Sequence, residues 1–137
     1  MKFAASRRLQ AEVQVTSKEL QAMKIEGCVA LVTGASRGLG KSLVAALLEA
    51  GAAKVYAGAR DPAKIAAGNA RVVPLRLDTS SAADLAAAVK TAADVTLLVN
   101  NAGVLTAYGV LAASEAELAA DFRTNVFGTL AMIKAFV

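Results

Sequence analysis

Histidine and tryptophan are absent from these 137 residues, and cysteine occurs once, at Cys28. Each gap closes off a class of chemistry. Without an imidazole there is no His general base and no His-ligated metal. A single thiol forms no internal disulfide and no cysteine-rich zinc site, so no metal is expected. Two tyrosines and four phenylalanines supply all the aromatic surface, and the net charge is only +4. That is far from the dense basic face with stacking aromatics that nucleic acid requires. The charge is also scattered, with four basic and two acidic side chains in residues 1–22. No apolar run reaches membrane-spanning length, and the opening "MKFAASRRLQ" has no apolar segment long enough for a signal peptide. The expectation is a soluble cytoplasmic protein with neither nucleic acid nor membrane as a partner.

What is present is apolar and small. The chain is 56% hydrophobic, much of it alanine, which predicts closely approaching helices around a single-domain core. Residues 1–22 are polar and mixed in charge, and read as a weakly structured extension; Met23 opens the regular part. "CVALVT" (28–33) is a continuous apolar run, as in a strand buried on both faces. A glycine-rich turn follows, then a helix over 41–51 with Leu43, Ala46, Leu47 and Ala50 on one face and Gly51 as its stop. Residues 53–60 and 70–78 read as further strands, the latter with Pro74 either weakening the strand assignment or marking a bulge. Asp61-Pro62 begins at most a short helix. A helix over 81–93 opens with Ser81 and Asp84 in capping-box spacing, a strand covers 94–103, and Ser114 with Glu117 opens a helical stretch running toward Val137, with a break possible at 125–128. Strand and helix alternate throughout. This predicts an α/β fold, a doubly wound parallel sheet of Rossmann type, incomplete at its C-terminal end.

The turn "TGASRGLG" (33–40) lies between an apolar strand and an amphipathic helix. A helix start presents unpaired amides and partial positive charge, and glycines let the backbone approach a phosphate closely. The spacing is Gly-x-x-x-Gly-x-Gly. Together with "NNAG" (100–103), "LD" (77–78) and "TNVFG" (124–128), in that context, it resembles the classical short-chain dehydrogenase/reductase family over residues 23–137. The resemblance implies an NAD(P)-dependent oxidoreductase. It implies that Gly34, Ser36, Arg37, Gly38, Leu39 and Gly40 line the adenosine and pyrophosphate site. Asp78 would meet the adenine ring, beside Leu77 and Thr79. Asn100, Ala102 and Gly103 would shape the strand end beneath the ribose and nicotinamide. Asn125 would be the catalytic Asn, distorting its helix and holding a water in a proton relay. The plainer alternatives are that Asn101 simply caps the strand end and that Asn125 is a helix-surface residue.

An acid at the end of the second strand would select NAD by binding the ribose 2′-hydroxyl. Ala59 stands there instead and Arg60 follows, with Arg37 in the glycine turn; two guanidinium groups suit a 2′-phosphate, so NADP is expected over NAD. A pairing of Arg60 with Asp61 is the competing use of that charge. The family's chemistry is hydride transfer to or from a carbonyl or alcohol substrate, using a serine and Tyr-x-x-x-Lys, in which the lysine lowers a phenol pKa of about 10. Tyr56 is followed four residues later by Arg60 and Tyr108 by Ala112, so neither supplies that pair. These residues therefore read as the cofactor-binding portion of a reductase, inactive alone and homo-oligomeric in its full-length form. The alternatives are a non-catalytic nucleotide-binding module or pseudoenzyme, and a structural partner supplying half a sheet.

Overall fold

The computed structural model describes residues 24–66, 68–106, 109 and 111–137, so the extension over 1–22 and Tyr108 lie outside the described residues. Four short strands, β1 (Val29–Thr33), β2 (Lys54–Ala59), β3 (Val72–Arg76) and β4 (Leu97–Val99), form one sheet in the order β3-β2-β1-β4. Every pair is parallel. The doubly wound parallel sheet expected from strand–helix alternation is therefore present. Pro74 lies on the edge strand and keeps register opposite Ala57, with no extra residue on either side. It marks an edge and not a bulge, because an edge strand tolerates the missing amide hydrogen.

Side-chain alternation on the central strand sorts the core into two layers. Ala30 and Val32 face helix α1 (Gly38–Glu49), joining Val44, Leu47, Val55 and Ala57. Leu31 faces the other way, with Tyr56, Leu75, Leu77, Ala88 and Met132, against α2 (Ala82–Thr91) and α4 (Thr129–Phe136). The buried alanines set the close spacing. Among the described residues no helix is long and apolar enough to cross a membrane.

The helices depart from expectation in two places. Helix α1 starts at Gly38, not at Lys41, and buries Gly40, Val44 and Leu47, while Ala46 and Ala50 are exposed. The cause is Gly40: a Cβ there would stand 2.2 Å from the Gly34 carbonyl oxygen, so this contact fixes the helix rotation and carries the buried row to i+4 and i+7. At α2, Ser81 Oγ accepts from the Asp84 amide at 3.2 Å, but the reciprocal half of the capping box is missing. Asp84 Oδ2 instead accepts the Asp78 amide at 3.0 Å, and the Ser81 amide donates to the Asp78 carbonyl.

The C-terminal helical stretch opens at α3 (Glu115–Phe122) with a complete capping box between Ser114 and Glu117. It passes through one π-helical segment, Arg123–Gly128, directly into α4. The break expected at 125–128 is thus a widened turn within a continuous helix.

Candidate functional site

The C-terminal ends of the strands meet in one cavity of about 370 Å³. Its base is tied together by Thr33, the last residue of β1. The Thr33 hydroxyl donates to the Val99 carbonyl at 3.4 Å and accepts the amides of Asn101 and Ala102 at 3.0 and 2.9 Å. Asn101 Nδ2 donates back to the carbonyls of Thr33 and Gly34 at 2.9 and 3.3 Å. The loop after β4 is thereby stitched to the glycine turn, and Asn101 is a strand-end cap that also lines the cavity. A buried threonine in this role has no distinguishing sequence signal.

Two glycines in the turn have left-handed backbone, Gly34 at φ +68° and Gly38 at φ +53°. At Gly34 a Cβ would press on Ala102 Cα at 3.0 Å. At Gly38 it would meet nothing within 4 Å, because Gly38 borders the cavity. Arg37 is the N-cap of α1, makes no side-chain cap, and no acid stands in the first turn. The amides that begin the helix are left without side-chain acceptors and an anion fits there. Ser36, Leu39 and Gly40 complete this wall.

The opposite wall comes from the ends of β2 and β3: Ala59 and Arg60, then Leu77, Asp78, Thr79 and Ser80. Asp78 Oδ1 accepts from the Ser80 hydroxyl and amide at 2.6 and 2.9 Å. These hydrogen bonds, with Arg60 and Arg76 adding positive field, hold its carboxyl below the usual value of 3.8. Asp61 pairs with Lys64 at 3.6 Å, so it is not Arg60's partner. Among the described residues neither Arg37 nor Arg60 is committed to an ion pair.

The third wall is Ala102, Gly103 and Val104, with Thr124 from the π-helical segment. Asn125 lies behind it. Its Oδ1 accepts the Val104 amide and its Nδ2 donates to the Val104 carbonyl, both at 2.8 Å. The widened turn also brings Gly128 against the loop after β3, where a Cβ would stand 2.7 Å from Thr79 Oγ1. Of the residues expected at the site, all but Asn100 and Asn125 line the cavity; Asn100 is exposed at the strand end, outside it. Ala59, Ser80, Val104 and Thr124 join through tertiary proximity. Tyr56 is at the other end of the sheet, bonded to Lys54 Nζ and Asp94 Oδ1 at 2.9 Å each, away from this cavity. Among the described residues no cluster of His, Cys, Asp and Glu could hold a metal.

The family model for short chain dehydrogenases matches residues 28–137. The chain belongs to that family. Short-chain dehydrogenases are oxidoreductases, and the fold matches solved members. A short chain dehydrogenase from Burkholderia cenocepacia in complex with NADP is 50% identical with a TM-score of 0.77, covering 83% of this chain and 48% of that one. A 3-ketoacyl-(acyl-carrier-protein) reductase from Brucella melitensis complexed with NADH is 31% identical with a TM-score of 0.75, covering 82% and 50%. The short chain dehydrogenase tazN of Aspergillus terreus is 32% identical over 128 residues, 84% of this chain and 28% of that protein. The chain thus spans half or less of the length of these relatives.

Proposed function

We propose that the cavity binds NADP(H) and that this short-chain dehydrogenase serves hydride transfer between the nicotinamide and a small carbonyl or alcohol substrate. One observation carries the cofactor reading: Arg37 and Arg60 border the same cavity as the start of α1, while Ala59 occupies the position where an acid would select NAD. The donor set fits a dinucleotide. Unpaired helix-start amides at Gly38 to Gly40 suit the pyrophosphate, and two unengaged guanidinium groups suit a 2′-phosphate. Asp78 with Leu77 and Thr79 offers the adenine its edge and a flat apolar side. The Burkholderia relative holding NADP favours the same cofactor; the Brucella relative holds NADH, which makes the arginines, rather than the fold, the deciding feature.

When bound, the nicotinamide would supply the hydride. This chain's residues bind and orient. Gly103 and Val104, braced by Asn125, form the third wall of the cavity, which supports reading Asn125 as a positioning residue. Neither tyrosine is followed four residues later by lysine. These 137 residues alone are therefore read as a binding portion that does not turn over. That same observation supports the second reading, a nucleotide-binding module without catalysis.

Calorimetric titration with NADPH and NADH, for the wild type and Arg60→Asp, tests the cofactor reading. The expected result is tighter binding of NADPH than NADH, and a loss on substitution of about tenfold or more for NADPH with little change for NADH. Equal losses for both nucleotides would overturn it. NADPH oxidation assayed with aliphatic and aromatic carbonyl compounds tests the inactivity: turnover by the 137-residue chain would refute it.

A further inference from the structure

The resemblance assigns no role to Arg76 or Asp84, yet the structure places both between the two strand ends that carry Arg60 and Asp78. The β2–β3 ladder ends at the pair Ala59 and Arg76. Beyond it, no strand pairing holds Arg60. Arg76 Nη1 donates to the Arg60 carbonyl at 3.0 Å. Its Nε stands 3.5 Å from Asp84 Oδ2. The same Asp84 oxygen accepts the Asp78 amide at 3.0 Å. Asp84 is largely buried, its side chain only 16% exposed, and it forgoes the capping box at α2 to make these contacts.

From this continuous chain of contacts, we infer that Arg76 and Asp84 are positioning residues for nucleotide selection, fixing Arg60 and Asp78 on one wall of the cavity. This rests on the proposed reading of the cavity as an NADP(H) site. Arg76 is suited to the task by its fork: one nitrogen holds a carbonyl while another faces a carboxylate, which a lysine ammonium on a flexible stem does not reproduce. Asp84 contributes because one carboxylate oxygen serves an amide and a guanidinium together. Without them the strand end keeps its ladder and the Arg60 carbonyl loses its side-chain donor. The consequence falls on recognition of a 2′-phosphate, which needs Arg60 in place, and far less on the pyrophosphate, which rests on α1.

The test compares NADPH and NADH binding by calorimetry for the wild-type chain, Arg76→Leu, Arg76→Lys, Asp84→Asn and Arg60→Ala, with circular dichroism checking that each retains its helix content. Arg76→Leu is expected to weaken NADPH about tenfold while NADH changes less than about twofold. Arg76→Lys recovers little of the loss. In an Arg60→Ala background Arg76→Leu should add nothing further for NADPH, since both act on one contact. Equal weakening of both nucleotides would show a purely structural role, and full recovery in Arg76→Lys would show that the guanidinium fork is not needed; either result overturns the inference. If Arg60→Ala weakens NADPH and Arg76→Leu does not, the inference fails while the cofactor reading stands. If Arg60→Ala leaves NADPH binding unchanged, or the wild type binds no nucleotide, the cofactor reading fails and takes the inference with it.

Discussion

Asn125 holds Val104 by both of its backbone groups, accepting the amide on Oδ1 and donating from Nδ2 to the carbonyl, each at 2.8 Å. A side-chain amide facing a backbone amide in this way satisfies an irregular segment without a partner strand. It joins the widened helical turn to the loop that forms the third wall of the cavity. Asn125→Ala is expected to cost about 1–3 kcal/mol, from two lost hydrogen bonds of about 1 kcal/mol each and some exposed relief. Asn125→Asp should cost a comparable amount, because a carboxylate cannot donate to the Val104 carbonyl. Urea unfolding measures both. An aspartate variant as stable as the wild type would contradict the two-way clamp.

The two glycines at the start of α1 should respond differently to alanine. Gly40→Ala forces a Cβ to within 2.2 Å of the Gly34 carbonyl oxygen and 2.6 Å of Asn101 Nδ2. The nearer obstacle is a backbone carbonyl that has little room to move, and about 1–3 kcal/mol of destabilisation or more is expected. Gly38→Ala meets no atoms and pays only the left-handed conformation, about 1 kcal/mol. Its Cβ stands at the cavity edge, so its larger effect should be on NADPH affinity. Thermal unfolding and nucleotide titration together separate the two; identical behaviour would count against this assignment of roles.

Lys54, Tyr56 and Asp94 give stability a pH dependence at both extremes. The Lys54 ammonium, then the Tyr56 hydroxyl, hold the Asp94 carboxyl below its ordinary 3.8. Asp94, then Tyr56, raise Lys54 above 10.5. On acidification the unfolded chain takes up the Asp94 proton first, so this contribution is whole above the ordinary carboxylate value and fades as pH falls through the lower folded one. On the alkaline side it is whole below the ordinary lysine value and is lost as pH rises through the higher folded one. Lys54→Met should therefore flatten the profile of urea midpoint against pH at both ends. Wild-type and variant curves that stay parallel would show that the cluster does not act this way.

The capping box at α3 predicts a local effect. Ser114 Oγ accepts the Glu117 amide at 3.3 Å while Glu117 Oε2 accepts from the Ser114 hydroxyl and amide at 2.7 and 2.8 Å. Ser114→Ala should cost about 1 kcal/mol, and hydrogen exchange should quicken chiefly in the first turn of α3. A loss spread evenly over the sheet would indicate another cause.

Much of this protein was legible in its residue order. The apolar run before the glycine turn, the alternation of strands and helices, and the capping residues are local signals, because backbone preference and side-chain period act over a few positions. They were enough for the parallel sheet and for the succession of strand, glycine turn and helix; the expected lining followed from the family resemblance. What lay beyond them involves groups distant in sequence. Asp84 looked like half of a capping box because Ser81 is three residues away; it accepts from Asp78 because the folded loop after β3 brings that amide nearer.

The sequence by itself determined that a strand, a glycine turn and a helix follow one another from Cys28, and the family to which the chain belongs, since glycine spacing and hydrophobic period are written locally. Only the tertiary structure decided which face of α1 is buried, that Asn100 stays outside the cavity while Thr124 enters it, and that Arg76 tethers Arg60. Each of those depends on a close approach or a shared hydrogen-bond acceptor between segments far apart in the chain, and no local preference encodes such a meeting.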